Sequence, residues 1–278
     1  MGEKRSTDWL CLERLGDADE AEAWLRRAAT QGYAEAMVNL GVRRFALGDP
    51  VEGESWYRRA AELGHAVAMA NLGYRLAQRG DLDEAEQWNR RGAVLGHPGA
   101  MENLAVLLKG RGDAEQALEW FRRGADRALT LMDESPRSFR PWPGEAADQG
   151  VCEVILGLAR LLLQQSDVDH GPEAERWLRL IAEHGDPRAA AMLATRHAAR
   201  GDTANAVAWR SKAADSADDL LGRERVSLLD AYGRPGVQRH VDIILAHAAG
   251  LAEEGNTADA LAWRERAAHH DTPPAARP

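Results

Sequence analysis

Three asparagines recur in this chain at a fixed interval. Asn39, Asn71 and Asn103 are evenly spaced, and each directly precedes a leucine. A side-chain amide carries N–H donors and a carbonyl acceptor, so a row of such groups suits recognition of a polypeptide main chain. The alternative interpretation is that each amide bonds a neighbouring helix of the same chain. The sequence leaves both interpretations open.

An apolar side chain follows each asparagine after three residues: Val42, Tyr74 and Val106. Residues three apart lie on the same face of a helix, so the amides and these apolar side chains form one surface if the segment is helical. We expect that surface to be mildly apolar, without a cluster of lysine and arginine. These six residues are therefore candidate partner-binding residues.

Histidine is the other residue type that suggests chemistry. His240 and His247 lie seven residues apart with Asp242 between them, but zinc sites have better-defined ligand spacing, so we predict no metal. We expect a one-residue shift of register that buries Leu245 in place of His247. The sequence contains no HExxH, GxSxG or GxxxxGK[ST] pattern, so we predict neither an enzyme nor a cofactor.

The elements that carry these residues are indicated by tryptophan. Trp24, Trp56, Trp88 and Trp120 follow one another at the same interval as the asparagines, and the interval returns between Trp177 and Trp209. A glycine followed by Asp or Asn stands eight residues before most of these tryptophans. A repeat of about 32 residues is typical of a solenoid, in which stacked helix pairs bury their apolar faces against their neighbours.

One repeat, residues 66–97, predicts two helices. Apolar residues at helical spacing mark the first helix, and Gly80 can adopt the left-handed conformation that ends it. Asp81 is expected to cap the second helix, as Asp49 and Asp113 do in other repeats. Trp88 should then be buried between repeats. We predict an all-α, right-handed α-solenoid of about seven antiparallel helix pairs, with the first helices on the concave side.

Glutamate–arginine pairs follow the same period. Each glutamate stands four residues before an arginine, a spacing that favours surface ion pairs within one helix: Glu22–Arg26, Glu54–Arg58, Glu86–Arg90 and Glu175–Arg179. We expect these arginines to form a solvated, convex face.

The repeat phrase resembles the Sel-one-like repeat, a relative of the tetratricopeptide repeat. The residues that carry the resemblance are WYRRAAE at 56–62, Gly64, His65, Ala68 and Asn71-Leu72-Gly73. The resemblance covers nearly the whole chain and implies an adaptor that assembles protein complexes. In related tetratricopeptide repeats the asparagine position faces the concave groove. The tight Gly–Asp turn between the two helices departs from the longer turn usual in Sel-one-like units.

Two interruptions of the period suggest the domain organisation. We predict an N-terminal repeat array at 1–132 and a Pro- and aromatic-rich insertion loop at 133–150, in which Phe139, Arg140 and Trp142 could bind a partner. C-terminal repeats should occupy 151–270, with a helical insertion near 218–238 that ends at Gly233–Gly236. Residues 271–278 are expected to be disordered.

The overall composition of the chain argues against several classes of function. A net charge of −9 argues against nucleic-acid binding. No apolar run is long enough for a membrane span, and the first residues do not resemble a secretion signal, so we expect a cytoplasmic protein with reduced cysteines. We predict a non-catalytic adaptor that binds a segment of another protein in its concave groove. The alternative is a regulatory or accessory subunit of an enzyme that docks through the 133–150 loop or the convex face; a small-molecule sensor is a weaker alternative.

Overall fold

The structure is a computed structural model that describes residues 18–134, 149–164 and 170–271. The described residues form twelve helices and contain no strand. In chain order these are α1 (Ala18–Thr30), α2 (Ala34–Ala46), α3 (Pro50–Glu62), α4 (Ala66–Arg79), α5 (Leu82–Val94), α6 (Pro98–Gly110), α7 (Ala114–Glu134), α8 (Gln149–Gln164), α9 (Gly171–Glu183), α10 (Pro187–Ala199), α11 (Thr203–Glu253) and α12 (Thr257–Asp271). The prediction of an all-α fold made of helix pairs is confirmed.

The chain divides into two compact units, Met1–Arg127 and Ala128–Pro278. In unit 1 the first helices of the pairs are α2, α4 and α6, and the second helices are α1, α3 and α5. From α1 to α6 each helix packs against the next, and α4 also packs directly against α6. The leucines at one repeat position of these helices are fully buried: Leu40, Leu72 and Leu104.

Glycine turns separate the helices as the sequence predicts. Gly80 ends α4 with φ of 95°, a left-handed conformation that a residue with a Cβ rarely adopts. The expected caps differ from one another. Asp49 accepts a hydrogen bond from the Glu52 backbone N–H at 3.0 Å, but Asp81 makes no such bond at the start of α5. Its carboxylate instead accepts from Arg79 Nε at 2.6 Å, because a charged donor forms the stronger bond.

Small residues allow the paired helices of unit 1 to approach closely. A Cβ added at Gly73 would lie 2.5 Å from Nδ2 of Asn89, and one added at Gly41 would collide with the Tyr57 ring. Tyr57 and Asn89 occupy the same position in successive repeats, and both are buried. The absence of a Cβ at Gly41 and Gly73 is therefore what allows these helices to pack closely.

The repeated tryptophans are buried to different degrees. Trp88 is only 8% exposed, which confirms its predicted burial, whereas Trp24 is 43% exposed. An arginine three residues later stacks on each of these rings: the guanidinium of Arg91 lies 4.6 Å from the centre of the Trp88 ring, and that of Arg27 lies 5.2 Å from Trp24. The indole faces turned towards solvent are thus covered by cations.

Unit 2 contains a charged cluster that the sequence analysis did not anticipate. Asp186 is fully buried and accepts hydrogen bonds from the backbone N–H groups of Arg188 and Ala189 at 2.8 and 3.1 Å, which caps α10. The Arg188 guanidinium pairs with Asp186 at 2.8 Å and also with Glu153 of α8. Burial alone would lower the pKa of Arg188, but the two carboxylates outweigh it and raise that pKa, so the cluster joins α8 to α10.

Helix α11 folds back on itself. Its backbone is helical from Thr203 to Glu253, although we expected a helix end at 233–236. At about 1.5 Å per residue, the 44 residues from Arg210 to Glu254 would span roughly 66 Å in a straight helix, yet these two side chains form an ion pair. The chain therefore reverses between Leu221 and Val237, which belong to one buried apolar cluster. Contacts within this cluster offset the cost of the reversal.

The burial of His247 differs from the sequence-based prediction. His247 is buried (3% exposed) and Leu245 is 40% exposed, the reverse of the predicted register. The buried stripe of this arm of α11 includes Ile244 and Ala248, and His247 lies on it because of the helical period. Its ring packs edge-on against Trp263 with centres 5.1 Å apart. Burial, together with the nearby Arg210 charge, lowers the pKa of His247 and favours the neutral imidazole.

Neither a candidate membrane-spanning helix nor a metal-binding cluster occurs among the described residues. None of the helices there is both long and apolar enough to cross a membrane. Within the same residues, no three His, Cys, Asp or Glu side chains are arranged to hold a metal ion.

Candidate partner-binding face

The first helices of unit 1 expose the apolar residues that the sequence singles out. Val42, Tyr74 and Val106 are 45%, 47% and 53% exposed, although their neighbours in the sequence include fully buried leucines. Because α4 packs directly against α6, the outward side chains of these two helices form a continuous surface. We call the outward side of α2, α4 and α6 the first-helix face. Asn39, Asn71 and Asn103 are half-buried at its base.

Asn103 is bonded within the protein. Its Nδ2 donates to the backbone carbonyl of Ala70 on α4 at 3.1 Å and to Oδ1 of Asn89 on α5 at 3.2 Å. A backbone carbonyl can only accept, so the orientation of the amide is fixed by this bond. Asn103 thus makes the bonds to neighbouring helices that the alternative interpretation requires, and its Oδ1 acceptor is the polar atom left for any further bond.

Asn71 lies beside the hydroxyl of Tyr57. Burial raises the pKa of Tyr57 to about 12, while the charge of Arg75 and a hydrogen bond with Asn71 act in the opposite direction. Tyr57 also stacks on Phe45, with ring centres 5.3 Å apart. The amide at position 71 therefore adjoins a buried tyrosine that is stacked on a half-buried phenylalanine.

Unit 2 has a shallow, open groove along its own first helices. The groove has a volume of about 470 Å³ and lies between the end of α8 and one side of α10; its lining residues are Leu163, Ala191, Met192, Thr195, Arg196 and Ala199. When Leu193 is aligned with Leu72, Met192 takes the position of Asn71 and Thr195 that of Tyr74. Recurring residue types do not reveal these positions, because Met192 and Thr195 stand where the earlier repeats have asparagine and an apolar residue.

The second helices carry a network of ion pairs. The predicted pairs within one helix are confirmed, for example Glu54–Arg58 at 3.2 Å and Glu175–Arg179 at 2.8 Å. The same glutamates also bind an arginine that comes 25 residues later, at the end of the next first helix: Glu54 binds Arg79 at 2.7 Å, Glu175 binds Arg200 at 2.9 Å and Glu86 binds Arg111. We call these the cross-pair bonds.

A histidine at a turn between repeats caps the helix that follows it. His97 precedes α6, and its Nδ1 accepts from the backbone N–H of Ala100 at 3.2 Å. Burial, with a smaller contribution from the His65 charge, lowers the pKa of His97 to about 4. At neutral pH this ring is an uncharged helix cap.

The loop candidates Phe139, Arg140 and Trp142 lie outside the described residues. Their assignment to a partner-binding loop stays a prediction.

Repeat families match several segments of the chain. The Sel1 repeat matches residues 34–65 and 156–186. Two tetratricopeptide repeat families match residues 65–94 and residues 10–27 and 98–123, respectively. No curated protein matches the sequence.

Solved structures of repeat proteins are similar to the chain. The pilF protein of Pseudomonas aeruginosa is 19% identical, and the match covers 85% of this chain and 95% of that one with a TM-score of 0.51. A protective antigen of uropathogenic Escherichia coli with an SLR fold is 22% identical with a TM-score of 0.36; the match covers 90% of this chain but only 64% of the antigen. A Sel1 repeat protein of Oxalobacter formigenes is 26% identical with a TM-score of 0.33, over 95% of this chain and 90% of that one.

Proteins built from these repeats generally act as scaffolds for protein–protein interaction. The constant spacing of the repeats, the helix pairs separated by glycine turns and the matches to both kinds of repeat agree with one another. The chain thus contains Sel1 and tetratricopeptide repeats in the segments that these families match.

Proposed function

We propose that this chain is a non-catalytic scaffold that binds an extended segment of another protein along the first-helix face of unit 1. The observation that carries the proposal is the exposed apolar series Val42, Tyr74 and Val106. Other apolar side chains of unit 1 are also exposed, among them Val51 and Val94, but these three recur at one position of successive first helices and so form a surface suited to an apolar partner.

The polar groups of the same face are suited to binding an extended segment of the partner. A segment bound as a strand or an irregular chain must satisfy its own N–H and C=O groups. The Oδ1 of Asn103 offers an acceptor beside Val106, since its Nδ2 already donates to Ala70 and Asn89. Asn71 holds the equivalent position beside Tyr74. Amides and apolar side chains thus alternate along the face.

The second-helix surface supports the proposal less well. Many of its arginines already have a glutamate partner, including Arg58 and Arg90. An arginine that is paired within its own chain must give up that bond before it can serve a partner. The accessory-subunit alternative therefore depends more on the 133–150 loop than on this surface.

Site-specific photo-cross-linking in cells tests the proposal. A photoreactive amino acid is placed at Tyr74, at Trp142 or at Val94, which is 80% exposed on α5 and serves as a matched control. We expect a cross-linked partner from position 74 and none from position 94. Adducts from position 142 alone would instead support docking through the loop. Adducts from position 94 alone would contradict binding at the first-helix face.

A further inference from the structure

One arginine of the first helices in unit 1 differs from the others. The first helices α2, α4 and α6 carry four arginines. Three of them pair with glutamate at 3.0, 3.2 and 2.7 Å: Arg43 with Glu22, Arg44 with Glu52 and Arg79 with Glu54. Arg75 has no carboxylate within ion-pair distance among the residues that the structure describes. In a chain with a net charge of −9, a cation without an acidic neighbour requires an explanation.

Uncharged groups hold Arg75 in place. Its guanidinium lies 4.2 Å from the centre of the Phe45 ring and 5.6 Å from that of Tyr74. Its Nη1 donates to Oε1 of Gln78 at 3.2 Å, and Nε2 of Gln78 donates to the Tyr74 hydroxyl at 2.8 Å. Aromatic rings and an amide orient a cation without neutralising it. The positive charge is therefore positioned and remains available.

The surroundings of Arg75 indicate what it would bind. Val42 lies one helical turn before Phe45 on α2, and Tyr74 adjoins Arg75 on α4; both are almost half exposed. A guanidinium at such an apolar, partly buried place binds a carboxylate more strongly than it would in open water, and its planar shape allows two parallel hydrogen bonds. Arg75 thus adds a positive charge to a face that the sequence predicts to be only mildly apolar.

We propose that Arg75 binds the side-chain carboxylate of an Asp or Glu in the bound segment, and that apolar residues next to this Asp or Glu cover Val42 and Tyr74. This proposal rests on the proposed function of the first-helix face and adds the chemistry of the partner. Charge complementarity carries it: the site supplies a fixed cation, and the described part of the chain supplies no counter-charge.

Selection from a phage-displayed library of random peptides tests the proposal, because displayed peptides have no free C-terminus and can offer only side-chain carboxylates. We expect the intact chain to select peptides with an Asp or Glu next to an apolar residue. For a selected peptide made with an amidated C-terminus, Arg75→Gln should weaken binding about tenfold. Arg75→Glu should change the selection to peptides with Lys or Arg.

Arg79→Gln is the matched control, since this arginine lies one turn further along α4 and is already paired with Glu54. Its affinity for the selected peptide should equal that of the original chain. Changing the acidic residue of the peptide to its amide should weaken binding to the original chain but not further weaken binding to Arg75→Gln. Circular dichroism checks that each variant is folded, and Arg75→Lys, which keeps the charge, provides a second variant with intermediate affinity.

The outcomes separate this proposal from the one it rests on. Peptides that need Tyr74 for binding but carry no acidic residue and ignore Arg75→Gln would overturn the role of Arg75 and support the proposed face. Selected peptides that bind equally well after Tyr74→Ala and Arg75→Gln would overturn both proposals.

Discussion

Replacement of Trp88 by alanine would remove the largest buried side chain of α5. The indole is 8% exposed, its Nε1 donates to Oε1 of Glu84 at 3.2 Å, and Arg91 covers its outer face. A buried tryptophan removes roughly 150–250 Å² from water. At about 25 cal/mol per Å² this corresponds to roughly 4–6 kcal/mol, and large aromatic-to-alanine changes in cores cost about 3–5 kcal/mol. We expect Trp88→Ala to lower the free energy of unfolding by about 4 kcal/mol.

Trp24 provides the matched control, because it holds the same repeat position but is 43% exposed. Since little more than half of its surface is lost on folding, Trp24→Ala should cost about 2 kcal/mol. Urea unfolding followed by circular dichroism measures both free energies. Hydrogen exchange should also show that Trp88→Ala reduces protection mainly in α4, α5 and α6, because repeats are coupled through nearest neighbours. Equal losses for the two variants would refute the link between burial and stability.

Three further changes have defined outcomes. The pKa of His97 is about 4 in the folded chain and has an ordinary value of 6.5, so the unfolded chain takes up the proton first as the pH falls. The free energy of unfolding should therefore fall by about 3 kcal/mol between pH 6.5 and pH 4. His97→Asn keeps an acceptor at the cap and should remove this pH dependence in urea titrations. Gly73→Ala should lower the melting temperature because its Cβ would collide with an amide 2.5 Å away, whereas Gly110→Ala, with nothing within 4 Å, should leave it unchanged or raise it. Asn71→Ala should weaken partner binding about tenfold at unchanged circular dichroism; a larger loss with Trp142→Ala would point to the loop.

Periodicity accounts for what the sequence could predict about the fold. Each repeat must bury the same stripe, so Leu72 and Trp88 could be assigned to the interior from their spacing alone. The same reasoning located the left-handed turn at Gly80. These features depend on contacts within one repeat or between adjacent ones, which the period describes.

Features that depend on competition between neighbours could not be predicted in this way. Asp81 bonds Arg79 instead of the backbone, a choice that depends on side-chain positions beyond the helix signal. The reversal within α11 could not be predicted either, because Gly233–Gly236 indicates only the end of a helix, whereas the direction of the following segment depends on contacts such as the Arg210–Glu254 pair. The bonding of Asn103 to Ala70 likewise requires the distance between two helices, which sequence spacing does not give.

The cross-pair bonds determine how a chain of this kind can grow or shrink. Glu54 binds Arg79 and Glu86 binds Arg111, so donor and acceptor recur together in these two successive repeats. Duplication or deletion of a whole repeat leaves each glutamate opposite an arginine. Insertion or deletion of one or two residues within the helix turns the arginine to a different side, since each added residue rotates a helix by about 100°. The smallest segment that such a gene can gain or lose without breaking these bonds is therefore the complete repeat and not the single helix.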